Sequence, residues 1–353
     1  MILRRVLIAN RGEIALRILR TCRRLGIETV LAASDADLAS VPARLADRVV
    51  RLGPASPSAS YLDVDAVLAA AKTSGVDAVH PGYGFLSENQ RLARACADAG
   101  IVFIGPTVRQ LAAVGDKLEA RRHAVVAGLP VVPGGPLTDT TDAARLAAEI
   151  GFPLLIKAVG GGGGRGMKQV HDPADLAATI DLAVAEAGAA FGDPRVYLER
   201  FVATGRHVEV QLIADGENVV HLGTRDCSVQ RRYQKLIEEA PAPALDPVLR
   251  EEMHHAAVAL GKHLEYRGLG TVEFLVDVDR GTFYFLEMNA RIQVEHPVTE
   301  AITGLDLVAE QLAAPKADRS PSARRTSRSP VTPSSAASTP RTGPAASSRV
   351  RAP

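Results

Sequence analysis

The chain has 353 residues, with 41 Lys+Arg against 40 Asp+Glu, a formal charge of +1, 46% hydrophobic residues and no Trp. At roughly 100–200 residues per domain, this length predicts two or three domains and ample core. No apolar run approaches the ~18 residues of a membrane span, and the first ten residues lack the apolar stretch and cleavage site of a secretion signal. Three widely spaced cysteines, Cys22, Cys96 and Cys227, exclude a disulfide scaffold and a Cys-rich zinc site. A soluble cytoplasmic protein is expected, without nucleic-acid or membrane partners.

The N-terminal third alternates strand and helix. Val6 to Ala9 reads as a short strand, and Ile14, Ile18, Leu19 and Cys22 then recur at helical spacing. Thr29 to Ser34 is a second strand, Asp63 to Lys72 a helix, Ala78 to His80 a strand before a Pro-Gly turn, and Ile101 to Ile104 another strand. This alternation predicts an α/β fold with a parallel, doubly wound sheet. From about residue 130, short strands outnumber helices: 154–157, 196–200, 207–214, 219–224, 271–278 and 282–289. That pattern predicts an α+β nucleotide-handling region.

Leu154 to Lys157 runs into Gly160–Gly164, Arg165 and Gly166. Five consecutive glycines are entropically costly, but backbone without Cβ atoms approaches phosphate oxygens closely. Lys157 at the strand end supplies a point charge to the same phosphates. The spacing fits neither a Walker A loop nor a dinucleotide fingerprint.

Residues 225–235 mix donors densely enough to bind small anions, although basic runs are also common on surface loops. Cys227 reads as packing, since no His lies nearby in sequence.

Residues 271–276 and 283–289 flank a turn at Asp279-Arg280-Gly281 and predict an antiparallel hairpin. Glu273 and Glu287 then face each other, and opposed like charges call for a cation between them. Two carboxylates with a nearby amide oxygen suit Mg2+ bound with a nucleotide. Continuing the alternation puts Asn289, Arg291, Gln293 and Glu295 on one side of an extended segment, and Met288, Ala290, Ile292 and Val294 on the other. A solvated edge strand would more often show Lys, Thr and Ser. A reaction centre is the better reading, with Arg291 binding an oxyanion and Glu295 as general base.

Residues 313–353 differ in kind: nine Ser, nine Ala, seven Pro and eight Lys/Arg, with Asp318 the one acid. This tail carries +7, which leaves the first 312 residues at −6. It has too little apolar surface to offset ordering and is expected to be disordered.

In this order, Ile8-Ala-Asn-Arg-Gly-Glu-Ile14, His80 to Asn89, Gly115-Asp-Lys117, the Gly160–Gly166 loop, Arg225 to Lys235 and Glu287 to Glu300 make the chain resemble the biotin carboxylases. These are ATP-grasp ligases of acetyl-CoA, propionyl-CoA and pyruvate carboxylases. The resemblance covers roughly residues 1–312. It implies an N-terminal pre-ATP-grasp domain over 1–114, an incomplete ATP-grasp domain over 115–312, and the tail over 313–353. It further implies ATP- and bicarbonate-dependent carboxylation of biotin through carboxyphosphate, the first half-reaction of an acyl-CoA carboxylase, as in fatty acid biosynthesis.

By the same resemblance ATP is bound by Lys117, Lys157, Gly163, Gly164, Glu199, Arg200, Phe201, Val202, His207, Gln230, Tyr233, Glu273 and Glu287. Glu273, Glu287 and Asn289 hold Mg2+ or Mn2+. Lys235, Arg291, Gln293 and Val294 bind bicarbonate, Glu295 takes its proton, and Tyr83 and Gly84 line the biotin side. Biotin rides on a separate carrier protein or domain, since no Met-Lys-Met attachment context occurs. A carboxyltransferase subunit and, in an intact chain, a homodimer are also implied.

Two departures stand out. Tyr233 occupies a position where the family usually carries His. After Ala313 the family continues into a third domain, bearing a catalytic arginine, that this chain does not match. The stretch Val331–Thr342 can be encoded by DNA that, read one base earlier, gives Gly-His-Ala-Val-Glu-Cys-Arg-Val-Asn-Ala-Glu-Asp, the family's expected sequence. A frameshift near residues 313–315 is therefore expected, with activity only where the missing domain is supplied. The alternatives are a non-catalytic remnant that binds nucleotide at most, a carbamoyl phosphate synthetase-like ligase and, last, a nucleic-acid-binding arm in the tail.

Overall fold

The computed structural model describes residues 2–137, 140–161 and 166–313. The tail over 314–353, with its expected disorder, and glycine-loop residues Gly163 and Gly164 lie outside the described residues.

The N-terminal segment winds β1 (Arg5–Ile8), α1 (Gly12–Arg24), β2 (Glu28–Ser34), α2 (Val41–Leu45), β3 (Arg48–Gly53), α3 (Val64–Ser74), β4 (Ala78–His80), α4 (Gln90–Asp98) and β5 (Val102–Phe103). The strands form a parallel sheet in the order β3-β2-β1-β4-β5, the expected doubly wound arrangement. Successive β1 side chains serve opposite faces. Val6 and Ile8 pack with Ile14, Ile18 and Leu19 of α1, while Leu7 joins Val64, Val67 and Leu92 from α3 and α4. Both faces are covered, which explains why these strands read as continuous apolar runs. The helix expected from Asp63 starts one residue later because Asp63 is its N-cap, accepting from the N–H groups of Asp65 and Ala66.

Helices α5 (Val108–Gly115) and α6 (Lys117–Val126) lead into β6 (Gly134–Pro136), α7 (Thr140–Ile150), β7 (Leu154–Ala158), β8 (Met167–Val170), α8 (Leu176–Phe191) and β9 (Val196–Arg200). Here the sheet is antiparallel, in the order β6-β9-β7-β8, and α7 and α8 pack on it through Leu146, Ile180 and Ala183.

The remaining elements are β10 (Gly205–Asp215), β11 (Val219–Arg231), β12 (Gln234–Glu239), α9 (Pro247–His263), β13 (Arg267–Asp277), β14 (Thr282–Asn289), α10 (His296–Thr303) and α11 (Leu307–Ala313). Their antiparallel sheet runs β12-β11-β10-β13-β14. Met253, Ala257 and Leu260 of α9 pack against Val208, Val210 and Leu212 of β10 and Phe274 of β13.

Helix α11 returns to the beginning of the chain. Leu307, Val308 and Leu312 pack in one cluster with Val6, Ile8 and Ile18, which also takes in Ile213, Leu269 and Ile292. The Asp306 carboxylate accepts from Thr21 Oγ1 at 2.9 Å and from Arg17 Nη2 at 2.9 Å, and it also meets Arg24. No helix among the described residues is long and apolar enough to cross a membrane.

One expectation changes, and one alternative falls away. The extended polar face does not continue to Glu295, because β14 ends at Asn289 and Glu295 becomes the N-cap of α10, with Pro297 in its first turn. The surface-loop alternative for residues 225–235 does not hold. They are the facing ends of β11 and β12, joined by a tight turn with Arg232 at φ 52° and Tyr233 at φ 62°.

Under α9, the rings of His221 and His254 stack with centroids 4.0 Å apart, and His254 is 5% exposed. Burial, followed by the His221 ring, pulls the His254 pKa down to about 4, with Arg250 acting in the same sense and Glu251 against it. Burial also lowers His221, which Glu251 opposes and His255 reinforces. The unfolded imidazole titrates near ~6.5, so between about pH 6.5 and 4 the unfolded chain binds the extra proton and stability falls as pH falls, by on the order of 3 kcal/mol. Urea unfolding at pH 7 and pH 5 checks this. The wild-type midpoint drops over that interval, and His254→Phe flattens the drop.

Candidate active site

The opposed carboxylates sit in register: Glu273 of β13 pairs with Glu287 of β14. Their surroundings differ. Glu273 Oε1 accepts from Lys235 Nζ at 3.0 Å, Asn289 Nδ2 at 2.8 Å and Gln293 Nε2 at 3.0 Å. His207 Nε2 lies 2.8 Å from Glu273 Oε2, a charge contact rather than an aligned hydrogen bond. Burial alone would raise the Glu273 pKa, but His207 and Lys235 outweigh it and hold this carboxyl far below the usual range. The reciprocal effect appears on His207, where Glu273 overcomes burial and raises the imidazole.

Glu287 has no hydrogen-bond partner among the described residues, and burial followed by the Glu273 charge raises its pKa against the pull of Lys117. One carboxylate is saturated and its neighbour is unneutralised. A divalent cation at Glu287, sharing Glu273 and the Asn289 amide oxygen, would remove that imbalance, so the donor set fits a hard, oxygen-preferring ion. The Asn289 oxygen presently accepts from Arg291 Nη2 at 2.6 Å.

Lys235 of β12 is the hub of the other half. Its ammonium donates to Glu209 Oε2 at 2.6 Å and Glu295 Oε1 at 2.6 Å besides Glu273. Burial would lower its pKa, but the three carboxylates raise it well above the ordinary lysine value. Arg291 donates through Nε to Glu88 Oε2 at 2.9 Å, and Glu88 Oε1 accepts from the Ala290 N–H at 2.8 Å. That fixes the loop after β14. Val294 is 53% exposed beside Glu295, which is buried.

On the opposite side, Lys157 of β7 donates to Glu199 Oε2 of β9 at 2.8 Å, and Arg121 of α6 approaches Glu199 Oε1 at 3.2 Å. Lys117 opens α6, and burial lowers its pKa although Glu287, Glu199 and Glu273 all pull upward. A desolvated ammonium aimed at carboxylates is ready for a polyanion. Arg200 contacts Tyr284, and Val202 packs with Val132 and Tyr284 beyond the end of β9, where Phe201 is partly buried. Gln230 Nε2 lies 2.9 Å from His207 Nδ1.

Tyr83 contacts Glu13, and Gly84 beside it is exposed at φ +66°. Tyr233 is 62% exposed at the hairpin tip, away from the buried contacts. Cys227 is fully buried, and burial drives its thiol pKa far up, in keeping with packing.

Beneath this site lies a residue whose role was not read from the sequence. Arg225 of β11 is fully buried and makes five hydrogen bonds: Nε to Glu209 Oε1 at 2.6 Å, Nη1 to Gln211 Oε1 at 2.7 Å and Thr299 Oγ1 at 2.9 Å, Nη2 to Gln293 Oε1 at 2.7 Å and Thr271 Oγ1 at 3.3 Å. A signal for it existed. His207, Glu209 and Gln211 alternate with Val208, Val210 and Leu212, a period-two polar face on a strand that is otherwise apolar.

A nucleotide-side pair of lysines, an acid pair suited to a divalent ion, and an Arg–Lys–Glu cluster within one antiparallel sheet define an ATP-grasp ligase. Residues 2–111 match the biotin carboxylase N-terminal domain, and residues 116–317 match the carbamoyl-phosphate synthase L chain ATP-binding domain. The chain is 52% identical over 314 residues to the biotin carboxylase of Pseudomonas aeruginosa, covering 88% of this chain and 70% of that one, and 51% identical over 318 residues to that of Nostoc sp., covering 89% and 71%. A Campylobacter jejuni biotin carboxylase–βγ-ATP complex superposes with TM-score 0.88 at 45% identity, covering 92% of this chain and 73% of the other. The Hydrogenobacter thermophilus 2-oxoglutarate carboxylase biotin carboxylase domain dimer, bound to MgADP, ADP and bicarbonate, gives 0.85 at 42%, covering 91% and 71%. The chain belongs to the biotin carboxylase family.

Removing Arg225 would strand Glu209 in the interior. Arg225→Met is expected to cost about 3–5 kcal/mol in urea unfolding. Arg225→Lys recovers only part of this, because an ammonium has three donors for five acceptors.

Proposed function

We propose that this chain carboxylates carrier-bound biotin with ATP and bicarbonate, acting as the biotin carboxylase component of an acyl-CoA carboxylase. The observation that carries the reading is the Lys235 ammonium shared among Glu209, Glu273 and Glu295. It joins the acid pair suited to a metal–nucleotide complex to the Arg291–Glu295 side in one cluster. Residues 1–114 serve as the pre-ATP-grasp domain and 115–312 as the ATP-grasp region.

In this reading Lys117 and Lys157 take the nucleotide phosphates, with Glu199 through Val202 and His207 on the nucleotide side. Glu273, Glu287 and Asn289 hold Mg2+ or Mn2+, which supplies positive charge to the triphosphate. Arg291 takes two bicarbonate oxygens through its fork, while Lys235, Gln293 and Val294 complete the cradle. Glu295 removes the bicarbonate proton, and the freed oxygen attacks the γ-phosphate, giving carboxyphosphate and ADP. Carboxyphosphate divides into CO2 and phosphate beside the biotin ring, which Tyr83 and Gly84 line. Burial around Glu273 and Glu295 keeps water from the labile intermediate.

A separate biotin carrier, a carboxyltransferase and a second copy of the chain are the partners this reading requires, and the cytoplasm is their expected location. The N-terminal domain match and the named relatives favour it over a carbamoyl phosphate synthetase-like ligase.

ATP hydrolysis with free biotin, followed with and without bicarbonate, tests the proposal. With the missing third domain supplied, turnover that requires bicarbonate is expected, and Glu295→Gln should reduce it by at least about 10²-fold while leaving ATP affinity within about twofold. Hydrolysis indifferent to bicarbonate would sink the reading, and nucleotide binding without turnover would favour the remnant.

A further inference from the structure

Away from the reaction centre, His123 of α6 and His263 at the end of α9 meet across 140 positions of sequence, with His123 Nδ1 and His263 Nε2 3.0 Å apart. The rings are tilted by 49° with centroids 5.2 Å apart, so the contact is nitrogen to nitrogen rather than face to face. We infer that this pair is a surface site for a divalent transition-metal ion, Zn2+, Ni2+ or Cu2+, that staples α6 to α9.

Three observations carry it. The first is spacing. Two nitrogens each 2.0–2.1 Å from one ion stand roughly 2.9 Å apart at a right angle and about 3.3 Å apart in a tetrahedron, and the observed separation lies between these.

The second is rigidity. Ala120 and Ala124 of α6, and Leu260 and Leu264 at the end of α9, belong to one buried cluster, so the backbone under both rings is held by core packing. The ordering cost of bringing two imidazoles together is met before any ion arrives.

The third is local charge. Glu119, one turn before His123, gives only Oε2 to Arg122, at 2.7 and 3.1 Å, so its Oε1 is uncommitted and the carboxylate offsets part of the Arg122 charge beside the rings. Burial, then Arg122 and the His263 ring, lower the His123 pKa, with Arg109 acting in the same sense and Glu119 against it, and a metal must still compete with protons for the two imidazoles. The two imidazoles serve as the protein ligands, and water completes the coordination.

The site is independent of the catalytic reading. The acidic groupings that could hold an ion, His207–Glu209–Glu273 and Glu209–Cys227–Glu295, lie in the reaction centre. Helix α6 nevertheless carries Lys117 at its start and Arg121 against Glu199, so the staple grips the helix that faces the nucleotide side.

The test is thermal unfolding of the full chain in saturating Mg2+, which occupies the carboxylates, with and without about 50 µM Zn2+ or Ni2+. A rise in midpoint on the order of 3–6 °C at pH 8, largely lost at pH 6, is expected. It should vanish in both His123→Gln and His263→Gln. Should His123→Gln fail to fold, His263→Gln, at an exposed position, still decides the matter. Cu2+ bound to the wild type should show hyperfine coupling to two nitrogens, reduced to one or none in the variant. No shift, or an equal shift in wild type and His263→Gln, leaves a plain hydrogen-bonded imidazole pair and overturns the inference.

Discussion

A guanidinium with no solvent contact must be satisfied by protein, and Arg225 imposes that condition on the whole site. Its donors reach β10 through Glu209 and Gln211, β13 through Thr271, the loop after β14 through Gln293, and α10 through Thr299. Isolated, a buried charge is costly. Saturated, it fixes the relative position of every element it touches. Glu209 transmits the constraint upward, because its other oxygen accepts from Lys235, and Lys235 in turn holds Glu273 and Glu295. The residues proposed for chemistry therefore stand on a buried scaffold in which each acid has an assigned cation.

The exception is Glu287, and the asymmetry has a physical use. A sheet that places two carboxylates opposite each other can neutralise both internally, which would leave no affinity for an external cation. Here Glu273 takes the internal partners and Glu287 is left raised and unpartnered among the described residues. Charge complementarity is thus reserved for a ligand. Lys117, depressed by burial, is the matching reserve of the opposite sign.

Much of this was legible in the sequence where the signal is local. The Thr271–Asn289 hairpin and the Glu273–Glu287 register follow from alternation about one turn, and the parallel sheet follows from strand–helix spacing. Legibility failed where periodicity ends. The 289–295 segment continues its polar alternation in sequence but leaves the sheet, and its side chains converge because Glu88 holds the Ala290 N–H and the Arg291 guanidinium. Glu88 comes from a segment 202 residues earlier, a contact that alternation does not encode. Arg225 shares a dense run of donors with Arg231 and Arg232, which are exposed, and residue type alone does not separate it from them. Its burial is decided by partners on four other segments.

The return of α11 to the first strand bears on how the chain matures. The face of β1 that carries Val6 and Ile8 is completed by Leu307, Val308 and Leu312, and Asp306 collects Arg17, Thr21 and Arg24 from α1. In a nascent chain α1 covers that face early, while the part of the cluster that Leu307, Val308 and Leu312 complete stays open until some three hundred residues have followed. Non-local closure of this kind slows folding and lengthens exposure to aggregation. The cluster around α1 thus depends on the last described helix to close it, and a chaperone would meet that part as an unfinished surface throughout most of synthesis.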